Sequence, residues 1–408
     1  KIMAIPTLTM IPSGYKAGKL YSVLPTNGDG DFTSTRSTTA TRVNKNGLIE
    51  TVLSNVPRLD YSYGSCPSLL LEEQSTNKII QSQDFGTSWN FFNGLSTSTN
   101  QSIAPDGTLT ADKIISNGSN FGFTRPSSNP VVSIGKITFS LFAKADNETT
   151  GWLRLDYGTT IYNRKFNLTT QTFSNGFDNT GNIPDSEQII DYGNGWFRLI
   201  ITASADSTSF EPRIYLTGNT GASVNDSLFL WGAQIESGSY PSSYIPTSGS
   251  ASTRNEDNCI SAGNSSTINS VEGVLYAEFR TLTEVGLFRQ INISKDSASR
   301  VYFSKRGDNG NLECRTENPL GGKTFSFNID TTQEFVKVAF RYGLNNFAVF
   351  IDGVNMNVSS TGNTFPIDTL NSVDFTSPSN QDFFGQVRDL RVYGSALSNE
   401  ELIQLTTI

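Results

Sequence analysis

Phe347-Ala-Val-Phe-Ile-Asp-Gly-Val-Asn-Met-Asn-Val358 is the stretch that decides the fold class. Phe347, Val349 and Ile351 recur with the period of two that places every second side chain on one face of a strand. Asp352-Gly353 is the dipeptide that accepts the positive φ angles of a two-residue hairpin turn, after which Val354, Met356 and Val358 resume the alternation. Upstream, Leu275, Ala277 and Phe279, then Val336, Val338 and Phe340, repeat the pattern. Residues 255–408 are therefore expected to form a β-sandwich that folds on its own.

The same period runs through residues 77–247, in Ile137, Phe139, Leu141 and Ala143, in Leu153, Leu155 and Tyr157, and in Phe197, Leu199 and Ile201. Turn chemistry separates these runs at Asn175-Gly176, Tyr192-Gly-Asn-Gly195 and Gly218-Asn-Thr-Gly221. A stretch rich in Pro, Ser, Thr and Gly over 240–253 reads as the boundary between the two sandwiches. Residues 1–76 hold only short apolar stretches, such as Leu20 to Leu24 and Leu69 to Leu71, and read as an extended docking or connecting segment. One helix is predicted at the carboxyl end, where Ser398 and Glu401 have the spacing of a capping box and Leu402 and Leu405 share a face that would cover a sandwich edge.

Composition narrows the chemistry. The 408 residues carry no histidine, which removes Ser-His, Cys-His and histidine-ligated zinc mechanisms. Cys66, Cys259 and Cys314 are too far apart for a metal knuckle and read as buried or incidental thiols. A net charge of −8 argues against a phosphate backbone as partner, so nucleic acid is not expected. No run approaches the length needed to span a bilayer, and Lys1 through Leu24 show no signal-peptide pattern, so no membrane insertion is expected. The 38 Asp and Glu residues include no local signature of a catalytic pair and are read as surface solvation.

The candidate site follows from the pleat. If Leu153, Leu155 and Tyr157 point inward, Trp152, Arg154 and Asp156 occupy the opposite face. The same argument turns Trp196 and Arg198, and Arg213 and Tyr215, away from the core. Rings beside Arg and Asp suit carbohydrate, whose C–H faces stack on aromatics while its hydroxyls take planar, charge-assisted partners. The same residues also suit packing against a strand, loop or second subunit. Trp89 and Trp231 read as core. Asn27-Gly-Asp-Gly-Asp31 spaces oxygen ligands as a calcium loop does, but Thr38 stands where an EF-hand carries its bidentate Glu. A Gly-Asp turn is the simpler reading, and no cofactor is expected.

Three stretches resemble sequences of bacteriophage head and tail appendage proteins. The first is Arg36-Ser-Thr-Thr-Ala-Thr-Arg-Val-Asn-Lys-Asn-Gly-Leu-Ile-Glu50 with Pro57-Arg-Leu-Asp-Tyr61 and Leu69-Leu-Leu-Glu-Glu-Gln-Ser-Thr-Asn77. The second is Leu230-Trp-Gly-Ala-Gln-Ile-Glu236 with Tyr240-Pro-Ser-Ser-Tyr-Ile-Pro-Thr247 and Thr253-Arg254. They flank Pro105-Asp-Gly-Thr-Leu-Thr-Ala-Asp112 and Tyr192-Gly-Asn-Gly-Trp-Phe-Arg198, a segment that resembles jelly-roll carbohydrate-binding modules. The third, Gly273-Val-Leu-Tyr-Ala-Glu-Phe279 with Gly385-Gln-Val-Arg-Asp-Leu-Arg-Val-Tyr-Gly-Ser-Ala-Leu-Ser398, is similar to concanavalin-like and laminin-G-like sandwiches. Ser75 departs from the leucine-rich motif, where a basic residue is expected.

The resemblance implies an all-β chain of tandem β-sandwiches, jelly-roll carbohydrate-binding-like over 77–247 and concanavalin/laminin-G-like over 255–408, preceded by the docking segment 1–76. It implies a structural virion protein on the particle surface, a fibre, spike or decoration assembled in the host cytoplasm. Its partners would be other virion proteins through the amino-terminal segment, cell-surface or mucosal glycans, and further copies in a homo-oligomer. No enzymatic activity is expected. A polysaccharide depolymerase and a bacterial surface adhesin are the alternatives.

Overall fold

The structure, a computed structural model, describes residues 4–157, 160–177, 182–208, 210–219, 223–282, 289–332, 334–377 and 381–407. Nearly every element is a strand, with a helix at Asn399–Thr407. The chain divides into two compact units, one made of residues 1–45, 52–73 and 255–408 and the other of 46–51 and 74–254. In sequence the second unit is an insertion into the first.

The outer unit is a sandwich. One sheet has the order Val354–Ser359, Phe347–Ile351, Val336–Gly343, Glu272–Thr281, Gly385–Tyr393, Ser68–Leu71 and Arg58–Asp60, with Leu8–Met10 also paired to Gly385–Tyr393. The other has the order Lys323–Phe327, Leu312–Glu317, Ser299–Lys305, Arg289–Asp296 and Ser372–Asp374. Leu275, Ala277, Phe279, Val338 and Phe340 face Ile291, Ile293, Val301 and Phe303 across the core, as their alternation requires. Asp352 and Gly353 have φ of 47° and 79°, the positive pair that the hairpin needs.

The helix is capped as its sequence predicts. The Ser398 amide donates to Glu401 Oε2 at 2.8 Å and the Glu401 amide donates to Ser398 Oγ at 3.3 Å. Its position differs from the expectation. Leu402 and Leu405 cover the outer face of the large sheet rather than its edge, in a cluster with Val274, Tyr276, Ala339, Ala348 and Phe350. Those outward positions are apolar too, so the strands need cover on both sides.

The amino-terminal segment corrects a second expectation. Residues 1–76 do not stand apart as an extended arm. Leu8, Met10, Leu20, Phe32, Leu59, Leu69 and Leu71 are all buried in the core of the outer sandwich. Leu8 lies opposite Val392, and Leu69 lies opposite Val387. Phe32–Thr35 pairs with Asn258–Ile260. The stretches are too short to form a core of their own, but they complete one supplied mainly by residues beyond 255. The segment 255–407 accordingly holds only part of its own sandwich.

The inserted unit is a sandwich of two six-stranded sheets. One runs Trp89–Phe92, Phe123–Pro126, Glu211–Tyr215, Thr150–Asp156, Ile161–Asn167 and Thr172–Asn175. The other runs Leu95–Ile103, Leu109–Asn117, Val224–Ser237, Gly135–Ala145, Trp196–Ala205 and Ser186–Asp191. Ile137, Phe139, Leu141, Leu153, Leu155, Leu199 and Ile201 meet in its core.

The boundary stretch is likewise more ordered than its composition suggests. Tyr244 and Ile245 are 3% and 4% exposed, and the Tyr244 hydroxyl lies 2.6 Å from Ser82 Oγ. Asn77, wholly buried, donates to the carbonyls of Ala233 and Ile245 and accepts from the amides of Ile79 and Ile235. Residues 240–247 are thus a strap bound to the inserted sandwich. Thr220 and Gly221 of the predicted turn lie outside the described residues.

Candidate functional site

Trp152, Arg154 and Asp156 share one face of the strand Thr150–Asp156, opposite the core residues Leu153 and Leu155. The neighbouring strand Glu211–Tyr215 puts Tyr215 beside Trp152, Arg213 beside Arg154 and Glu211 beside Asp156. On its far side Phe123 lies opposite Tyr215, and Phe92 lies opposite Phe123. Pleat and register together build a row of rings, a row of guanidinium groups and a row of carboxylates, running across the strands on the outer face of the sheet.

The rings hold one another and the cations above them. Phe92 and Phe123 stack at 4.7 Å, Phe123 and Tyr215 lie 4.9 Å apart, and Phe177 reaches both Tyr215 and Trp152 edge-on. Arg125 stands over Phe92, Arg213 over Phe123 and Lys165 over Trp152, each just over 5 Å from the ring centre. Arg125 contacts Glu211 at 2.5 Å, Arg154 contacts Asp156 at 2.9 Å, and Arg213 bridges Glu211 and Asp156. Burial works against the Arg213 charge, but contacts with Tyr215 and Glu211 outweigh it and raise its pKa.

Access divides the face. Trp152 and Tyr215 are 9% and 4% exposed, so neither offers a free ring to a sugar. The Arg154, Asp156, Arg213 and Glu211 side chains keep 14–24% of their surface in solvent. The chemistry this face can perform is polar recognition by a fixed lattice of donors and acceptors, with the aromatic row beneath as its rigid floor.

Trp196 and Arg198 are not part of it. They belong to the other sheet of the sandwich, and the expected common surface of all seven residues therefore splits. Trp196 is buried in a satellite core with Phe142, Trp231 and Tyr244, and its indole N–H donates to the Ile103 carbonyl at 2.9 Å. Arg198 is buried over the Phe142 ring and donates to Ser140 Oγ at 2.9 Å. The strap closes over this face, so outward-pointing aromatics there became core. Trp89 and Trp231 are buried, as expected.

Asn27 to Asp31 forms a turn. Asn27 Oδ1 accepts from the Asp29 amide, and Asp31 Oδ1 accepts from both the amide and hydroxyl of Ser22. Lys19 Nζ lies 3.4 Å from the other Asp31 oxygen. Among the described residues no cluster of three or more Cys, Asp or Glu side chains could hold a metal ion, and no helix is long and apolar enough to cross a membrane.

Phe92, Phe123, Arg125, Lys165 and Glu211 join the face without having been singled out from sequence. Phe123-Thr-Arg125 and Glu211-Pro-Arg-Ile-Tyr215 do carry the alternation. Their register, which turns separate residues into rows, is set by long-range pairing that local patterning does not encode.

No protein-family model and no curated protein sequence matches the chain. Among solved structures, the CBM40 module of the Ruminococcus gnavus IT-sialidase, bound to alpha2,3 sialyllactose, is similar over 33% of this chain and 83% of its own, at 16% identity and a TM-score of 0.30. Domain 4 of AbnA, a GH43 extracellular arabinanase of Geobacillus stearothermophilus in complex with arabinotriose, is similar over 37% of this chain and 73% of its own, at 15% identity and a TM-score of 0.32. Domains LG4-5 of the mouse laminin alpha1 chain are similar over 79% of this chain and 91% of their own, at 10% identity and a TM-score of 0.26. The two-sandwich fold stands on the sheet topology described above.

Proposed function

We propose that this chain is a glycan-binding structural component of a bacteriophage virion appendage, which engages sugar through the polar rows of its inserted sandwich and does no covalent chemistry. The observation that carries the glycan reading is the lattice itself. Arg154 and Arg213 alternate with Asp156 and Glu211 at fixed register, presenting planar donors beside acceptors to a ligand dense in hydroxyl groups. Individually weak contacts of this kind act together when many copies are displayed on one particle.

The virion reading is supported by the order of the three appendage-like stretches along the chain. Docking of the amino-terminal segment to another virion protein is supported by what that segment leaves outside the core. Ile5, Ile11 and Val23 are 79%, 40% and 44% exposed.

Binding of the full chain and of Arg154→Ala to an immobilised glycan array tests the first reading. Binding by the parent that weakens in the variant is expected, and a parent chain that retains no glycan defeats the proposal. Localisation of the chain on intact particles by electron microscopy tests the second.

A further inference from the structure

We infer that the ligand of this face is an anionic glycan, one that bears carboxylate or sulfate groups. This rests on the glycan-binding reading and adds the charge class of the sugar. Among the described residues Arg125, Arg154, Arg213 and Lys165 share the face with two carboxylates, Asp156 and Glu211. The whole chain carries a net charge of −8. A local excess of cations attracts a negative partner that the rest of a net-negative molecule repels, which directs the partner to this face.

Lys165 makes the excess specific. Its position lies directly beside Trp152 across the pair of strands, and its ammonium stands 5.1 Å from the centre of the Trp152 ring. Among the described residues it has no carboxylate partner. Trp152 is 9% exposed, and its indole N–H, a donor with no acceptor capacity, is buried without a hydrogen-bond partner among the described residues. Among the described residues the two groups of this face left without such a partner, Lys165 and the Trp152 indole N–H, are thus a cation and a donor. A neutral sugar, whose hydroxyls donate as readily as they accept, leaves that imbalance in place. A carboxylate or sulfate group removes it, because it offers acceptors and charge only.

The test compares oligosaccharides that differ only in charge, using the full chain. Uronic-acid oligomers are set against their carboxyl-reduced neutral counterparts, and sulfated oligomers against the same oligomers after desulfation, with calorimetry as the readout. At least one acidic member of the two pairs is expected to bind about tenfold more tightly than its neutral counterpart. That preference is expected to shrink as sodium chloride is raised. Lys165→Gln is expected to lose most of the preference and Lys165→Glu all of it, with melting temperatures held near the parent value. Equal affinity for both members of both pairs overturns this inference and leaves the glycan-binding reading standing. Absence of binding to any glycan removes both. A preference that survives unchanged in Lys165→Glu also overturns the assignment to this face.

Discussion

The Arg58 guanidinium, wholly buried, is ion-paired to Asp257, which lies 199 residues further along the chain. Glu72 takes the second side of the same guanidinium at 2.6 Å, and Arg36 reaches the other Asp257 oxygen at 2.8 Å. Burial alone would disfavour the Arg58 charge, but the two carboxylates outweigh it and raise its pKa. The inserted sandwich lies in sequence between these partners, so the pair ties the early segment to the later one within the outer unit.

Removal of Arg58 takes one buried cation away from Asp257 and Glu72, and leaves Arg36 on Asp257. Arg58→Ala is expected to cost about 3–5 kcal/mol of stability, since removing one partner of a buried ion-pair network leaves its carboxylates under-compensated. Chemical denaturation of the outer unit's transition measures it, and a loss under 1 kcal/mol would show that the network is dispensable.

The second prediction concerns excision. Ser75 and Arg254 are paired neighbours on antiparallel strands, so a short linker can join their ends after the intervening sandwich is deleted. The joined chain is expected to unfold in one cooperative transition. Residues 255–408 alone are expected not to, because they lack seven buried side chains from the early segment. At about 1.5–3 kcal/mol each, these side chains contribute as much as the whole stability of a typical domain. A sharp melting transition in the 255–408 fragment would refute this account of the outer core.

Trp196→Ala and Arg154→Ala should separate packing from recognition. Trp196 fills the satellite core, and its truncation is expected to cost about 3–5 kcal/mol. Arg154 sits in a partly solvated ion pair, so its loss should cost about 1 kcal/mol or less. Glycan binding, by contrast, should fall in Arg154→Ala. Equal melting temperatures for the two variants would contradict the assignment of Trp196 to a core.

Thiol reactivity reports on the outer unit. Cys66 is exposed, whereas Cys259 and Cys314 are buried, and burial pushes both of those thiols well up from their usual range. Under native conditions near pH 8, a maleimide reagent is expected to label Cys66 rapidly and the other two only after denaturation. Fast labelling of Cys314 in the native chain would contradict its place between the sheets.

Local pattern was enough for much of this architecture. The alternation of Ile137 to Ala143 and of Val336 to Phe340, the Asp352-Gly353 turn and the Ser398–Glu401 cap are short-range features, and each appears in the structure where its sequence puts it. The face of Trp152, Arg154 and Asp156 was legible for the same reason, because the pleat fixes which side chains share a side. Tertiary structure decided which strands became neighbours. Trp196 alternates just as Trp152 does, yet it went to the other sheet and under the strap that carries Tyr244. Leu8, Met10 and Phe32 look too scattered to fold, and alone they are, but the partners that bury them arrive more than two hundred residues later. Hydrophobic period is a local quantity, whereas register and cover depend on contacts between segments distant in sequence. The sequence therefore determined the sandwiches and the inward faces, and only the folded chain determined that one sandwich is inserted in the other's sequence and which outward face stayed open.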